Sequence, residues 1–246
     1  MAEKDVSKPA EPPKPVHIGG ESILDRILPH MKQIIIAVVV AAVVLMVIFF
    51  IRWMQERKEK AETRKLDDIL EVAREPIRAK DAKPDPKSPS FGDAKERGGA
   101  VLAEIAKQDT GIAGHAFRGG QLLDVGKIDD AIAEYRQGTS DKTIEGVMCR
   151  EGLGLALEAK AAAEKDPAAR QKGLEDALAA FAAMQPDENG MRRAYALYHQ
   201  GRIQLLLTRR VEAKALFEKA KEANKNASDR DLADLIEKRL AALGAS

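Results

Sequence analysis

One cysteine, Cys149, stands alone among 246 residues, so the chain can form no intramolecular disulfide and no Cys-based zinc or iron–sulfur centre. Aromatic residues make up only 4 %, which argues against a β-sandwich or barrel, whose strands draw on aromatic and β-branched side chains. Neither charge sign prevails: 40 Lys and Arg stand against 39 Asp and Glu, without the basic excess of a nucleic-acid-binding protein. The histidines, His17, His30, His115 and His199, are scattered, and no pair has the i, i+4 spacing of a helical metal site. Gly98-Gly99 and Gly119-Gly120 lack the following Lys-Ser/Thr of a phosphate loop and lie inside helical patterns. Cys149, next to Val147 and Met148, reads as a small buried hydrophobe and not as a nucleophile. Carboxylates alternate with Lys and Arg at i+3 and i+4, as on solvated helix faces. No enzyme and no cofactor is expected.

What the chain does hold is alanine with Glu, Lys and Arg at helical periods, and no alternating run long enough for a strand, so the expected fold class is all-α. One segment departs from the average. From Ile34 to Ile51 eighteen consecutive residues carry neither a charge nor a polar group. At 1.5 Å per residue they span about 27 Å, close to the hydrocarbon thickness of a bilayer. Basic residues follow at once, where a cleaved signal peptide has a small-residue cleavage site. Residues 33–53 therefore read as a retained transmembrane helix, with Trp53 as its interfacial anchor. Ala37 and Ala41 have the small-xxx-small spacing of a helix dimer, a spacing that also arises by chance in an Ala/Val helix.

Residues 1–21 hold Pro9, Pro12, Pro13 and Pro15 among lysines and acids and end in Gly19-Gly20, a composition too polar to offset the entropy of ordering. They read as a disordered tail. Over 22–32, Ile23, Leu24, Ile27, Leu28 and Met31 recur at helical spacing, as in a short interfacial helix that Pro29 would interrupt. Arg26 and Lys32 precede the apolar stretch, whereas Arg52, Arg57, Lys58, Lys60, Arg64 and Lys65 follow it. The positive-inside rule then places the larger part in the cytoplasm, although long domains translocate despite flanking charge.

Residues 54–111 read as a linking helix and a first helical pair. Leu66, Ile69, Leu70, Ala73 and Ile77 form one stripe, Pro84, Pro86 and Pro89 mark a loop, and Ala94, Val101, Leu102 and Ile105 form the next stripe, capped by Asp93. From 112 to 227 the chain repeats itself. Gly119, Gly126, Ala131 and Tyr135 recur as Gly201, Thr208, Ala213 and Phe217, each displaced by 82 residues. Ala177 and Phe181 mark a looser copy between them, 46 residues after Ala131 and 36 before Ala213. Against a period of about 34 residues the first step has about twelve to spare. These would lengthen the first helix of the middle repeat, around Leu153 to Arg170, with its turn at Asp166-Pro167. Two helices that cross closely need a small residue on each at the crossing. Gly119 and Gly201 fill that role on first helices, Ala131, Ala177 and Ala213 on second helices, and Tyr135, Phe181 and Phe217 supply bulk against the next unit. Over 228–246, Ser228 with Asp231 reads as a capping box, Leu232, Leu235, Ile236 and Leu240 as one face, and Gly244 as the stop of a capping helix.

These units resemble tetratricopeptide repeats, and the whole resembles a short α-solenoid closed by a C-terminal capping helix. A short tail, one membrane helix ending in Arg52-Trp53, a charged helix and divergent repeats together resemble the YfgM-type ancillary subunits of the bacterial Sec translocon. The proline-rich tail departs from that pattern. The resemblance implies a single-pass inner-membrane protein with periplasmic repeats. Such a protein is a chaperone-like, protein-binding accessory whose partners are translocon subunits, the membrane chaperone PpiD and unfolded clients. The other reading is a structural adaptor of a bacterial envelope complex for division, motility or secretion, with its repeats on either side of the membrane.

In repeats of this kind a groove lined by the first helices receives the partner. With Gly201 at the crossing, Tyr195, Tyr198, Arg202, Leu205 and Leu206 fall on the groove side, and tyrosine and arginine dominate interface energetics. The alternative is that Tyr195 and Tyr198 pack the repeat against its neighbour. On the first repeat the same face reads Ala113, Ala116, Gly120, Leu123 and Asp124, without the Lys and Asn of a carboxylate clamp for chaperone tails. Expected partners are proteins and, through one helix, a membrane; no nucleic acid and no small-molecule substrate is expected.

Overall fold

The structure, a computed structural model, describes residues 30–79, 82–83, 90–108 and 111–244. The tail at 1–21, most of the expected interfacial helix at 22–32 with its Pro29, and the prolines of the 80–90 loop lie outside the described residues. Among the described residues every regular element is a helix: α1 (Met31–Arg74), α2 (Ala94–Gln108), α3 (His115–Asp124), α4 (Ile128–Gly138), α5 (Ile144–Ala163), α6 (Pro167–Met184), α7 (Arg193–Leu206), α8 (Arg210–Ala227) and α9 (Arg230–Gly244). The only β pairing described is an isolated bridge between Ile77 and Phe91. The chain divides into two units, residues 1–59 and 60–246.

The first unit is dominated by α1, which contains the expected spanning segment 33–53. Its apolar side chains between Ile34 and Ile51 are exposed, Phe49 at 72 %. Length and composition make this helix long and apolar enough to cross a membrane. Trp53 lies against Phe50, with ring centroids 5.8 Å apart, and the Arg57 guanidinium sits 3.9 Å above its ring.

In the second unit the end of α1 supplies Ile69, wholly buried with Val101, Ile105 and Ala113. Asp93 caps α2, accepting from the Glu96 N–H at 2.7 Å, while Glu96 reaches back to the Gly92 N–H at 2.6 Å. Three helical hairpins follow, α3–α4, α5–α6 and α7–α8, and α9 packs on α8. Their cores turn on one device. A Cβ on Gly119 would come within 2.5 Å of the Tyr135 ring, one on Gly154 within 2.5 Å of Phe181, and one on Gly201 within 2.8 Å of Phe217. Real Cβ atoms are not found so close, so the glycines let each aromatic ring lie against the backbone of the facing helix. Ala131, Ala177 and Ala213 are fully buried at the same crossings. Gly152 meets Tyr135 from the next hairpin, so this ring is clasped by glycines of two first helices.

Two details differ from the sequence reading. The extra length of the middle hairpin is shared by both of its helices: α5 continues from Gly154 to Ala163, and α6 runs from Pro167 to Ala177 before reaching the crossing. Asp166 caps α6 through the Ala169 N–H at 2.8 Å, with Pro167 in the first turn. At the last junction Ser228 does not open a capping box. It closes α8 in the left-handed region (φ 53°), and Asp229 caps α9 by accepting from the Leu232 N–H at 3.0 Å.

Candidate binding cleft

A cleft of about 790 Å³ opens where the hairpins α5–α6 and α7–α8 meet α9. Ile144 and Met148 contribute from the first turns of α5, Glu188 to Arg192 from the segment before α7, Ala194 and Tyr195 from α7, Ala223 and Asn224 from the end of α8, and Asp229 and Leu232 from the start of α9. Its position follows from the helix ends. Asp187 holds the turn after α6 by accepting from the Asn189 N–H at 3.0 Å, and Asp229 sets the direction of α9. Met191 is 84 % exposed, Ile144 56 % and Met148 40 %, so the cleft wall offers apolar surface to whatever enters.

Polar groups converge behind that surface. The Tyr195 hydroxyl donates to Asp229 Oδ2 at 2.8 Å, and the Arg192 guanidinium lies 4.3 Å over the Tyr195 ring. Arg192 Nη2 also donates to Glu151 Oε1 at 2.5 Å, with His199 Nε2 3.3 Å from the same oxygen. His199 in turn stacks on Phe181, with centroids 4.7 Å apart. Burial pushes the Glu151 carboxyl upward, but His199 and Arg192 outweigh it and hold the group below the usual carboxylate range. Asp229 is held low by the Leu232 N–H first and the Tyr195 hydroxyl second, and Tyr195 is raised because its proton is committed to Asp229. Asn224 is buried. Its Nδ2 donates to the Asp229 carbonyl at 2.7 Å, and its Oδ1 has no hydrogen-bond partner.

The residues expected in a groove separate. Tyr195 lies in the cleft. Tyr198, only 6 % exposed, is in the core with Phe217 and Leu232, so it belongs to repeat packing and not to a groove. Arg202 makes a two-pronged bond to Glu158 at 2.8 and 2.7 Å, tying α7 to α5. Leu205 is half-buried against the α7–α8 core, and Leu206 is 46 % exposed outside the cleft. The physical reason is rotation about α7: residues three apart differ by about 60° around a helix, enough to turn Tyr195 outward and Tyr198 inward. On the first hairpin Ala113 is buried beside Ile69 and Ala116 packs on the α3–α4 core.

Ile144, Met148, Met191, Asn224 and Asp229 escaped sequence reasoning because they come from four separate elements and share no local spacing. Cys149 is buried. Burial, with the Glu145 carboxylate beside it, pushes its thiol up to about 11, the opposite of an activated nucleophile. Among the described residues no group of three or more His, Cys, Asp or Glu is placed to hold a metal ion. No protein-family model, no curated protein and no solved structure matches the chain.

Proposed function

We propose that the chain is a membrane-anchored, protein-binding scaffold built from tetratricopeptide-like hairpins, and that it serves as a periplasmic, chaperone-like accessory of the Sec translocon. The observation that carries the scaffold reading is the glycine–aromatic crossing made three times, by Gly119 with Tyr135, Gly154 with Phe181 and Gly201 with Phe217. Units that repeat one crossing stack side by side, and stacked hairpins present a continuous surface suited to holding another polypeptide. The exposed apolar wall at Ile144, Met148 and Met191 supports the same reading. The translocon assignment rests on the resemblance in layout of anchor, charged helix and repeats.

A photo-crosslinking side chain at Met191 in living cells tests this reading. Adducts with translocon subunits or with chains in transit support it; adducts confined to cytosolic proteins overturn it. The basic cluster Arg52, Arg57 and Lys58 directly after the apolar stretch favours a second reading, a structural adaptor with its helical unit in the cytoplasm. A compartment-specific reporter fused after Ser246 separates the two.

A further inference from the structure

We propose that the cleft bounded by α5, α7 and α9 selects polypeptide segments that are apolar and carry a positive charge, with Lys or Arg beside large aliphatic residues. The proposal rests on the protein-binding reading and specifies which chains the site takes.

The apolar half of the preference comes from side chains that folding leaves exposed. In the second unit few large hydrophobic residues stay in solvent, and three of them, Ile144, Met148 and Met191, gather at this one cleft. Exposed apolar groups that cluster mark a contact site, whereas single ones do not. Two of the three are methionines, whose unbranched, polarizable chains adapt to partners of different shape, so the site discriminates by class and not by sequence.

The charge preference comes from an excess of acceptors. Arg192, the cation lining the cleft, is already engaged by Glu151 and by the Tyr195 ring. Glu188 is exposed at the cleft and forms no ion pair among the described residues. Asp229, which feels the Arg192 charge and accepts from Tyr195 and the Leu232 N–H, makes no direct ion pair among them either. An ammonium or guanidinium group supplies donors and meets two carboxylates; an acidic segment would meet the same carboxylates as like charges.

The test uses the full chain in lipid nanodiscs, with empty discs setting the background, and short fluorescent peptides read by anisotropy. One peptide has a Leu/Ala core flanked by Lys and Arg, a second has the same core flanked by Glu, and a third has a Gly/Ser core flanked by Lys and Arg. The first should bind at least about tenfold tighter than either of the others. Glu188→Lys should shift preference toward the Glu-flanked peptide, and Met191→Ser should weaken the apolar peptides. Both positions are exposed, so circular dichroism should show both variants folded. Equal binding of the basic and acidic apolar peptides overturns the charge preference, and equal binding of the Gly/Ser peptide overturns the apolar one. Binding that ignores both substitutions removes the cleft from the proposal while leaving the protein-binding reading intact. If Met191→Ser abolishes a self-association seen by light scattering, the occupant is a second copy and the proposal fails. No binding by any peptide also overturns it, and the crosslinks at Met191 then decide the scaffold reading separately.

Discussion

Phe181 and Phe217 are fully buried, so neither ring can move aside for a side chain on the glycine it covers. Gly201→Leu should therefore cost about 1–3 kcal/mol, the scale of overpacking in a closed core, measured by urea denaturation. Gly99 provides the control, since a Cβ there meets nothing within 4 Å. Gly99→Ala should raise stability by about 0.5–1 kcal/mol through helix propensity alone. Equal effects at the two positions would show that the crossing is not what requires glycine at Gly201. Glu151 gives a second prediction at this scale. Its folded carboxyl is held below the ordinary value, so its stabilisation is complete above the unfolded pKa, about 4.3, and is lost as pH falls through the folded value. Glu151→Gln should lower the melting temperature at neutral pH and flatten its decline below about pH 4.5, because the group that titrates is gone. Parallel acid limbs for the two proteins would place the acid sensitivity elsewhere. Of the residues in the candidate site, only Tyr195 was legible from the sequence, because Tyr195 and Tyr198 are equivalent until the rotation of α7 is known.

Hairpin turns show how far a repeat written in residues becomes a repeat in structure. After α3 the chain closes with Lys127 N–H to Leu122 carbonyl at 2.9 Å and Gly126 N–H to Leu123 at 3.0 Å. After α7, 82 positions later, Arg209 N–H meets Gln204 at 2.9 Å and Thr208 N–H meets Leu205 at 3.0 Å. The same turn needs the same left-handed residue, glycine at Gly126 (φ 81°) but a β-branched one at Thr208 (φ 61°). A β-branched residue there carries a steric cost that glycine lacks. Thr208→Gly should consequently stabilise the protein by about 0.5–1 kcal/mol after glycine's greater unfolded-state entropy is deducted, and Gly126→Thr should destabilise it by a similar amount. A thermal melt of each variant checks the pair, and a fall in stability for Thr208→Gly would mean that its hydroxyl bond to the Leu207 carbonyl matters more than the backbone strain. The outer two hairpins were legible because nothing interrupts the 16 residues from glycine to aromatic ring in either. In the middle hairpin 27 residues separate Gly154 from Phe181, so the crossing glycine could not be found by spacing although the ring could.

For the whole molecule, composition settles more than pattern does. The apolar stretch of α1 is exposed from end to end in the first unit, whereas the second unit buries its apolar side chains around Ile69, Tyr135, Phe181 and Phe217. Exposed aliphatic surface of that length is costly in water, so the stretch calls for a cover, and it is long and apolar enough for a bilayer to supply it. Trp53 lies at the end of that stretch and is the sole tryptophan of the chain, which makes its fluorescence a local reporter with no background. With the full chain reconstituted in vesicles, Trp53 emission should be blue-shifted relative to detergent-free buffer and quenched by brominated acyl chains. Quenching should be stronger for bromines near the headgroup than at the bilayer centre, as for an aromatic ring in the interfacial belt. Removing residues 1–59 removes the signal together with the apolar stretch, and the remaining helical unit should stay in solution and melt cooperatively. Emission that aqueous iodide quenches fully and brominated lipid leaves untouched would place Trp53 in water, and the apolar stretch would then need a protein partner to cover it instead of a bilayer.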